Sequence, residues 1–323
     1  MEQQQEQNQE TSTVIPLEKV EKKKTINKDN KYDLQTADEH IFKKWEENYN
    51  INVSNNFFGN WLKYSNFVNF QWKKFKDKPL IVVFAGPSLD DNIKELKKLN
   101  GKATIMCVDV IVFKLLEIGI KPDIVVNVDP QNIVRFWDGW NGDGSVFIAP
   151  VTTHPENMKE WKGKKHLYNT VDYLYKGKHE ALKKLTKATK DFGDIANAGF
   201  VGATILQVIK DLYPRPPMTA IIGADFAFSW NKAYCSGFLD RRYPGNNRNE
   251  EKNKEFKKEI SVKADGNTVW TSHQLMMYMD IFKKITENYN LKIINCTDGG
   301  ILKETEKISR ERFKDVVEKI TSK

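Results

Sequence analysis

Five consecutive apolar residues, Leu80-Ile81-Val82-Val83-Phe84, run straight into the turn Ala85-Gly86-Pro87-Ser88. A short, unbroken run rich in β-branched residues and closed by a turn is what a strand buried on both faces requires, and such strands belong to parallel sheets covered by helices. The residues that follow agree. Ser88 is placed to cap a helix, Asp91 three residues on completes a capping-box pattern, Ile93, Leu96 and Leu99 supply an apolar face, and Gly101 ends it. The unit then recurs as a strand over 103–108, a helix over 110–118 before Gly119, and a strand over 124–128 closed by Asp129-Pro130. Further strands are expected over 145–148, 219–222 and 291–294, with helices over 198–212, 272–289 and 306–320. The expected class is therefore α/β, a Rossmann-like doubly wound and mostly parallel sheet with a helical N-terminal lead-in and a C-terminal helix.

The flanks divide by composition. Residues 1–30 are rich in Gln, Glu, Lys, Thr and Asn and hold too little apolar surface to offset the entropy of ordering, so a tail is expected there. Residues 31–77 form a helical lead-in, in which Ile41, Trp45 and Tyr49, then Trp61, Tyr64, Phe67 and Phe70, recur at helical spacing. The nucleotide-binding core is expected over 78–302 and the last helix over 303–323. Within the core, residues 230–258 are polar, Gly/Asn-rich and charged, and read as an excursion or lid over the site.

Net charge is +8 over 323 residues, which favours anionic partners in general. Much of the excess lies between Lys159 and Lys190, where a solvated lysine-rich face is expected. No signature of a nucleic-acid-binding fold accompanies it, so nucleic acid is not an expected partner. Cys107, Cys235 and Cys296 are odd in number and lack CxxC spacing, which points to neither a disulfide framework nor a zinc site. The sequence starts without the basic and apolar regions of a signal peptide, and Lys114 and Glu117 interrupt its apolar stretch at 108–120. A cytoplasmic protein without a membrane span is expected.

In an open parallel sheet, ligands bind beyond the carboxyl ends of the strands. Successive strands deliver Gly86-Pro87-Ser88, Asp109, Asp129, Asp225 and the Asn295 to Gly300 segment to that edge. Each alone is equally an ordinary cap or turn. The carboxylates Asp109, Asp129 and Asp225 could hold Mg²⁺ with a phosphate, orient a ribose or cap helices. Asn197-Ala198-Gly199 opens a helix with small residues that allow close approach by a phosphate or by a neighbouring strand. Neither GxGxxG nor a Walker loop is present, no histidine pair has metal-ligand spacing, and no GxSxG elbow supports a serine nucleophile. Cys107, inside an apolar strand, reads as inert core. Of the five histidines, His154 and His273 are the two expected near the edge, where imidazole suits general-base work.

Taken in order, Phe84 to Leu89, Met106 to Asp109, Lys121 to Gln131, Ile222 to Phe226 and Asn295 to Gly300 resemble the bacterial motility-accessory-factor glycosyltransferases. The same residues are similar to the archaeal 6-hydroxymethylpterin pyrophosphokinase-like (MptE-like) proteins and, more distantly, to bacterial sialyltransferases. The resemblance spans about 79–302 and implies a transferase with a Rossmann-like glycosyltransferase core. It further implies that Gly86, Pro87, Ser88, Asp109, Asp129, Asn197, Ala198 and Gly199 surround a nucleotide, and that Tyr234 contacts donor phosphate. Two positions depart from the sialyltransferase pattern: Ala85 stands where those enzymes have Asn, and Trp270 where they have the general-base histidine, with His273 three residues on. His273 and Asp225 are then the candidate catalytic residues.

The leading expectation is transfer from a CMP-activated nonulosonic sugar to a glycan or protein acceptor, with no resident metal. The alternatives are a diphosphokinase using ATP and Mg²⁺ on a pterin-like alcohol, and a non-catalytic nucleotide-binding protein.

Overall fold

The protein is described by a computed structural model that places residues 45, 47–49, 51–56, 65–66, 70, 72–170, 192–195, 199–229, 232–242, 260–264 and 267–322. Strand β1 (Ser65–Asn66) precedes the first repeating unit, β2 (Leu80–Val83) with helix α1 (Leu89–Leu96). Every residue of β2 is buried, as its unbroken apolar run requires. Then come β3 (Thr104–Val108), α2 (Val112–Glu117), β4 (Ile124–Val126), β5 (Val146–Pro150), α3 (Pro155–Glu160), β6 (Lys164–Thr170) and β7 (Asp194–Ile195). The second half runs α4 (Val201–Asp211), β8 (Thr219–Ile222), α5 (Phe238–Arg242), β9 (Ile260–Ala264), β10 (Asn267–Thr271), α6 (His273–Asn288), β11 (Ile293–Asn295), β12 (Ile308–Arg310) and α7 (Phe313–Thr321).

The main sheet has strand order β1-β6-β5-β4-β3-β2-β8-β11-β12, with β7 also paired to β6. All its ladders are parallel. From β2 the chain winds outward through β3 to β6, then crosses back to lay β8 on the opposite side of β2. The order of winding reverses there, and in open parallel sheets ligands bind in the crevice beyond the carboxyl edge at such a reversal. The expected α/β class is the one observed.

Three expectations change in detail. The helix expected over 306–320 begins only at Phe313, because Ile308–Arg310 is a strand paired with β11. The stretch from Lys159 keeps Lys159, Lys162 and Lys164 exposed, as a solvated lysine face requires, but also contains β6, whose His166, Leu167, Tyr168 and Asn169 are buried; residues 171–190 lie outside the described residues. Of the expected lid over 230–258, residues 232–242 pack against the sheet's helices, with Phe238 buried and stacked on Phe136; residues 230–231 and 243–258 lie outside the described residues. An antiparallel hairpin of β9 and β10 follows it. In the lead-in, residues 51–56 are helical. The tail over 1–30 and Ile41, Trp61, Tyr64 and Phe67 lie outside the described residues. No helix among the described residues is long and apolar enough to cross a membrane.

Candidate functional site

The crevice has two flanks. On one, the turn after β2 meets the turn after β8. Gly86 donates its N–H to Gly223 O, and a Cβ added at Gly86 would lie 1.9 Å from Asp225 Oδ2 and 2.5 Å from Gly223 O. Glycine is required here by the close approach of the two loops. Ser88 does not cap α1: its side chain makes no cap bond, and its hydroxyl donates to Asp225 Oδ2 at 2.9 Å while its N–H donates to Asp225 Oδ1 at 3.1 Å. The expected capping box is thus replaced by a carboxylate from another strand. The next three N–H groups, of Leu89, Asp90 and Asp91, turn back onto the carbonyls of Gly86, Pro87 and Ser88. Asp225 therefore occupies the place at the start of α1 that an anion from solution would take.

The loop after β11 closes this flank from above. Ile301 N–H donates to Asp225 O, Thr297 Oγ1 accepts from Ala224 N–H, and Gly300, at φ +73°, leaves no room for a Cβ over Asp225. Asp225 is 5% exposed, and burial, opposed by the two Ser88 donors, pushes its carboxyl from the ordinary 3.8 to about 7. Of the two expected catalytic residues, Asp225 is spent on holding the turn. His273 is exposed in the first turn of α6, two residues after Thr271, whose hydroxyl donates to Phe226 O. That bond brings the start of α6 to the β8 end of the crevice.

A second loop leans on the same turn. Cys235 donates its N–H to Ala85 O, which sets the half-buried Tyr234 beside Gly86, its ring 4.1 Å from that of Phe238. Asp90, in the first turn of α1, accepts from Lys232 Nζ at 3.0 Å and from the Ser236 N–H and hydroxyl, and Lys114 Nζ lies 3.3 Å away. Burial pushes the Asp90 carboxyl up, but these donors outweigh it and hold it below the ordinary range. Lys232 is thus ion-paired to Asp90, and the loop that carries it and Tyr234 is held against the turn after β2.

The other flank gathers side chains from the ends of β3, β4, β5 and β6. Asn127 donates through Nδ2 to Asp109 Oδ2 and to Asp129 O, and its Oδ1 accepts from Thr153 Oγ1 at 2.7 Å. Tyr168 Oη donates to Asn127 O at 3.0 Å. Asn157 extends the network by donating to Gln131 O and Thr153 Oγ1 and accepting from Ile133 N–H. Asp109 is 5% exposed, and burial, opposed by Asn127 and helped by the charge of Asp129, carries its carboxyl to about 7. Asp129 is half-buried and accepts from Gln131 N–H. His154 serves as the N-cap of α3, its Nδ1 accepting from Glu156 N–H; burial lowers its pKa against the pull of Glu156.

Among the expected site residues, Asp109 and Asp129 come together on one flank, and Gly86, Pro87, Ser88, Asp225 and Tyr234 on the other. Gly199 stands at φ +79° just before α4, while Asn197 and Ala198 lie outside the described residues. Asn127, Thr153, Asn157 and Tyr168 were missed. Asn127 is the one polar residue of the apolar run Val125 to Val128, a signal that could have found it. Cys107 is buried in β3, where burial drives its thiol pKa well up, as inert core requires.

A family model described as 6-hydroxymethylpterin diphosphokinase MptE-like matches residues 41–231, more than half of the chain. The chain belongs to the MptE-like family. The match takes in both flanks of the crevice up to the turn after β8, and leaves α6, β11 and β12 outside it. This MptE-like chain is also similar to a solved structure, the MAf glycosyltransferase of Magnetospirillum magneticum AMB-1, with a TM-score of 0.53 and 15% identity. The likeness covers 80% of this chain but 39% of that enzyme, and at such identity it is one of fold. No curated protein sequence matches the chain.

Proposed function

We propose that the chain is a nucleotide-sugar-dependent glycosyltransferase that uses a CMP-activated nonulosonic, sialic-acid-like donor and transfers its sugar to a hydroxyl of a glycan or protein. The observation that carries this reading is the loop at 232–236, which Asp90 and the Ala85 carbonyl hold against the turn after β2; Lys232 and Tyr234 on that loop are assigned to the donor phosphate. A nucleotide leaving as its monophosphate needs such donors at its phosphate, and in a water-poor cleft they act with little reorganisation. The nucleoside end is assigned to Asp109, Asn127 and Asp129. In the reaction the acceptor oxygen forms a bond to the anomeric carbon, the bond from that carbon to the phosphate oxygen breaks, and His273 takes the acceptor proton. The fold shared with the MAf glycosyltransferase supports the same reading.

The family's description favours a second reading, a diphosphokinase acting on a pterin-like alcohol. Asp109 and Asp129 would then hold Mg²⁺ together with the triphosphate of ATP, and the ion would neutralise charge on the phosphoryl group in transfer. Asp225 does not fit that role, because both of its oxygens receive donors from Ser88. Among the described residues no group of three or more His, Cys, Asp or Glu side chains could hold a metal, so such an ion would depend on phosphate oxygens.

Thermal unfolding with added nucleotide separates the two. A ligand at a hundred times its Kd stabilises by about 2.7 kcal/mol. A shift with CMP or CTP that persists in chelator supports the glycosyltransferase; a shift that needs ATP and Mg²⁺ moves the assignment to the diphosphokinase. No shift with either leaves a non-catalytic protein of the same fold.

A further inference from the structure

We propose that Asn52 and Asn56, on the lead-in helix at 51–56, are positioning residues for the Asp109 to Asn127 network, so that this helix belongs to the site. Asn52 Nδ2 donates to Pro130 O at 2.8 Å and Thr152 O at 2.9 Å, and Asn56 Nδ2 donates to Val151 O at 2.9 Å and Thr153 O at 2.8 Å. Four residues apart on one helix face, the two amides spend all four of their N–H bonds on carbonyls of the loops leaving β4 and β5. Both are nearly buried, at 3% and 5% exposure. Asn56 Oδ1 is buried without a partner, which costs stability that an apolar side chain would not. The donor geometry is what the amide supplies there.

The path to the network is short. Asn56 fixes the backbone of Thr153; the Thr153 hydroxyl donates to Asn127 Oδ1; and a donor at Oδ1 obliges Asn127 to turn its amide N–H groups toward Asp109 and Asp129. Loss of the clamp frees Asn127 to rotate and removes a donor from the Asp109 carboxylate. The inference rests on reading that network as the nucleoside end of the site.

The test is the Asn127 side-chain amide at fixed pH, followed by ¹H–¹⁵N NMR and assigned by difference with Asn127→Asp. In Asn56→Leu and in Thr153→Val, which deletes the hydroxyl alone, the Asn127 N–H resonance held downfield by the Asp109 carboxylate moves upfield, and the double variant moves it no further than Thr153→Val does. If Asn56→Leu does not fold, Asn56→Ser is held to the same criterion. A folded variant with a lower melting temperature and unmoved Asn127 amide resonances overturns the proposal and leaves the asparagines as mere structural clamps. No nucleotide enters this measurement. Its failure therefore spares the glycosyltransferase reading, and a protein that binds no nucleotide spares the clamp.

Discussion

Each flank of the crevice buries one aspartate at 5% exposure, and burial carries both carboxyls to about 7, yet their surroundings differ in kind. Asp225 is closed in by backbone: Gly86, Gly223 and Gly300 approach so tightly that none could carry a Cβ, and a single serine satisfies both carboxylate oxygens. Asp109 is held by a side-chain amide, which is itself turned by a hydroxyl, which sits on a loop held by two further amides. Backbone against backbone has one arrangement. A chain of rotatable side chains has several, and can change partners when a ligand arrives. The Asp225 flank is therefore read as the frame of the site and the Asp109 flank as its adaptable part.

The sharpest attempt to break that contrast is Gly86→Ala. Its methyl has nowhere to go except into Asp225 and the Gly223 carbonyl, so a loss of about 3 kcal/mol is expected by urea unfolding. A midpoint close to the unaltered protein's would show that the two loops can separate, and the frame would not be one. Asp225→Ala comes next. It strands the Ser88 N–H and hydroxyl, an expected cost of about 2 kcal/mol, whereas Asp109→Ala costs about 1 kcal/mol because Asn127 keeps Asp129 O as an acceptor.

A smaller effect lies in the pH dependence. Both carboxyls are raised from 3.8 to about 7 on folding, so between those values the folded state binds more protons than the unfolded one. Stability then falls as pH rises from about 4 to 7 and levels off above. Asp90, whose carboxyl is lowered, has the opposite sign: its contribution is present at neutral pH and is lost as pH falls below the ordinary carboxylate range. Asp225→Asn and Asp109→Asn should each flatten the slope between pH 4 and 7. An unchanged slope in both would place its origin in other groups.

The frame was easier to read in the sequence than the adaptable flank, and the reason is physical. β2 is a continuous apolar run and β8 is one after Thr219, and the turns that follow them contain Gly86-Pro87 and Gly223-Ala224-Asp225, which are local signals. Ser88 was read as a cap because serine before a helix ordinarily caps; that Asp225, 137 positions away, supplies a better partner is a tertiary fact. β6 was hidden by its opening Lys164-Lys165, although Leu167 and Tyr168 are core and His166 packs edge-on against Phe70. Asn52 and Asn56 drew no notice, since nothing local distinguishes an amide facing water from one facing backbone carbonyls. The hairpin of β9 and β10 did leave a mark, Asp265-Gly266 between two runs of high β propensity, which is a familiar two-residue hairpin signal.

The smallest effect on stability should accompany the largest on binding. Asp129 is half-buried at the rim of the Asp109 flank, and its Oδ1 accepts from Gln131 N–H, a role that an asparagine carbonyl can keep. Asp129→Asn should therefore unfold within about 0.5 kcal/mol of the unaltered protein. If this carboxylate accepts from ribose hydroxyls, a bond that a neutral amide makes less well, CMP affinity should drop ~10-fold, equivalent to ~1.4 kcal/mol. Titration calorimetry in chelator and again with Mg²⁺ reads both possibilities. A loss seen in chelator keeps Asp129 on the nucleoside, whereas a loss confined to ATP with Mg²⁺ makes it a metal ligand and transfers the adaptable flank to the diphosphokinase. Full affinity in both would remove Asp129 from the site and leave ligand recognition to the loop that carries Lys232 and Tyr234.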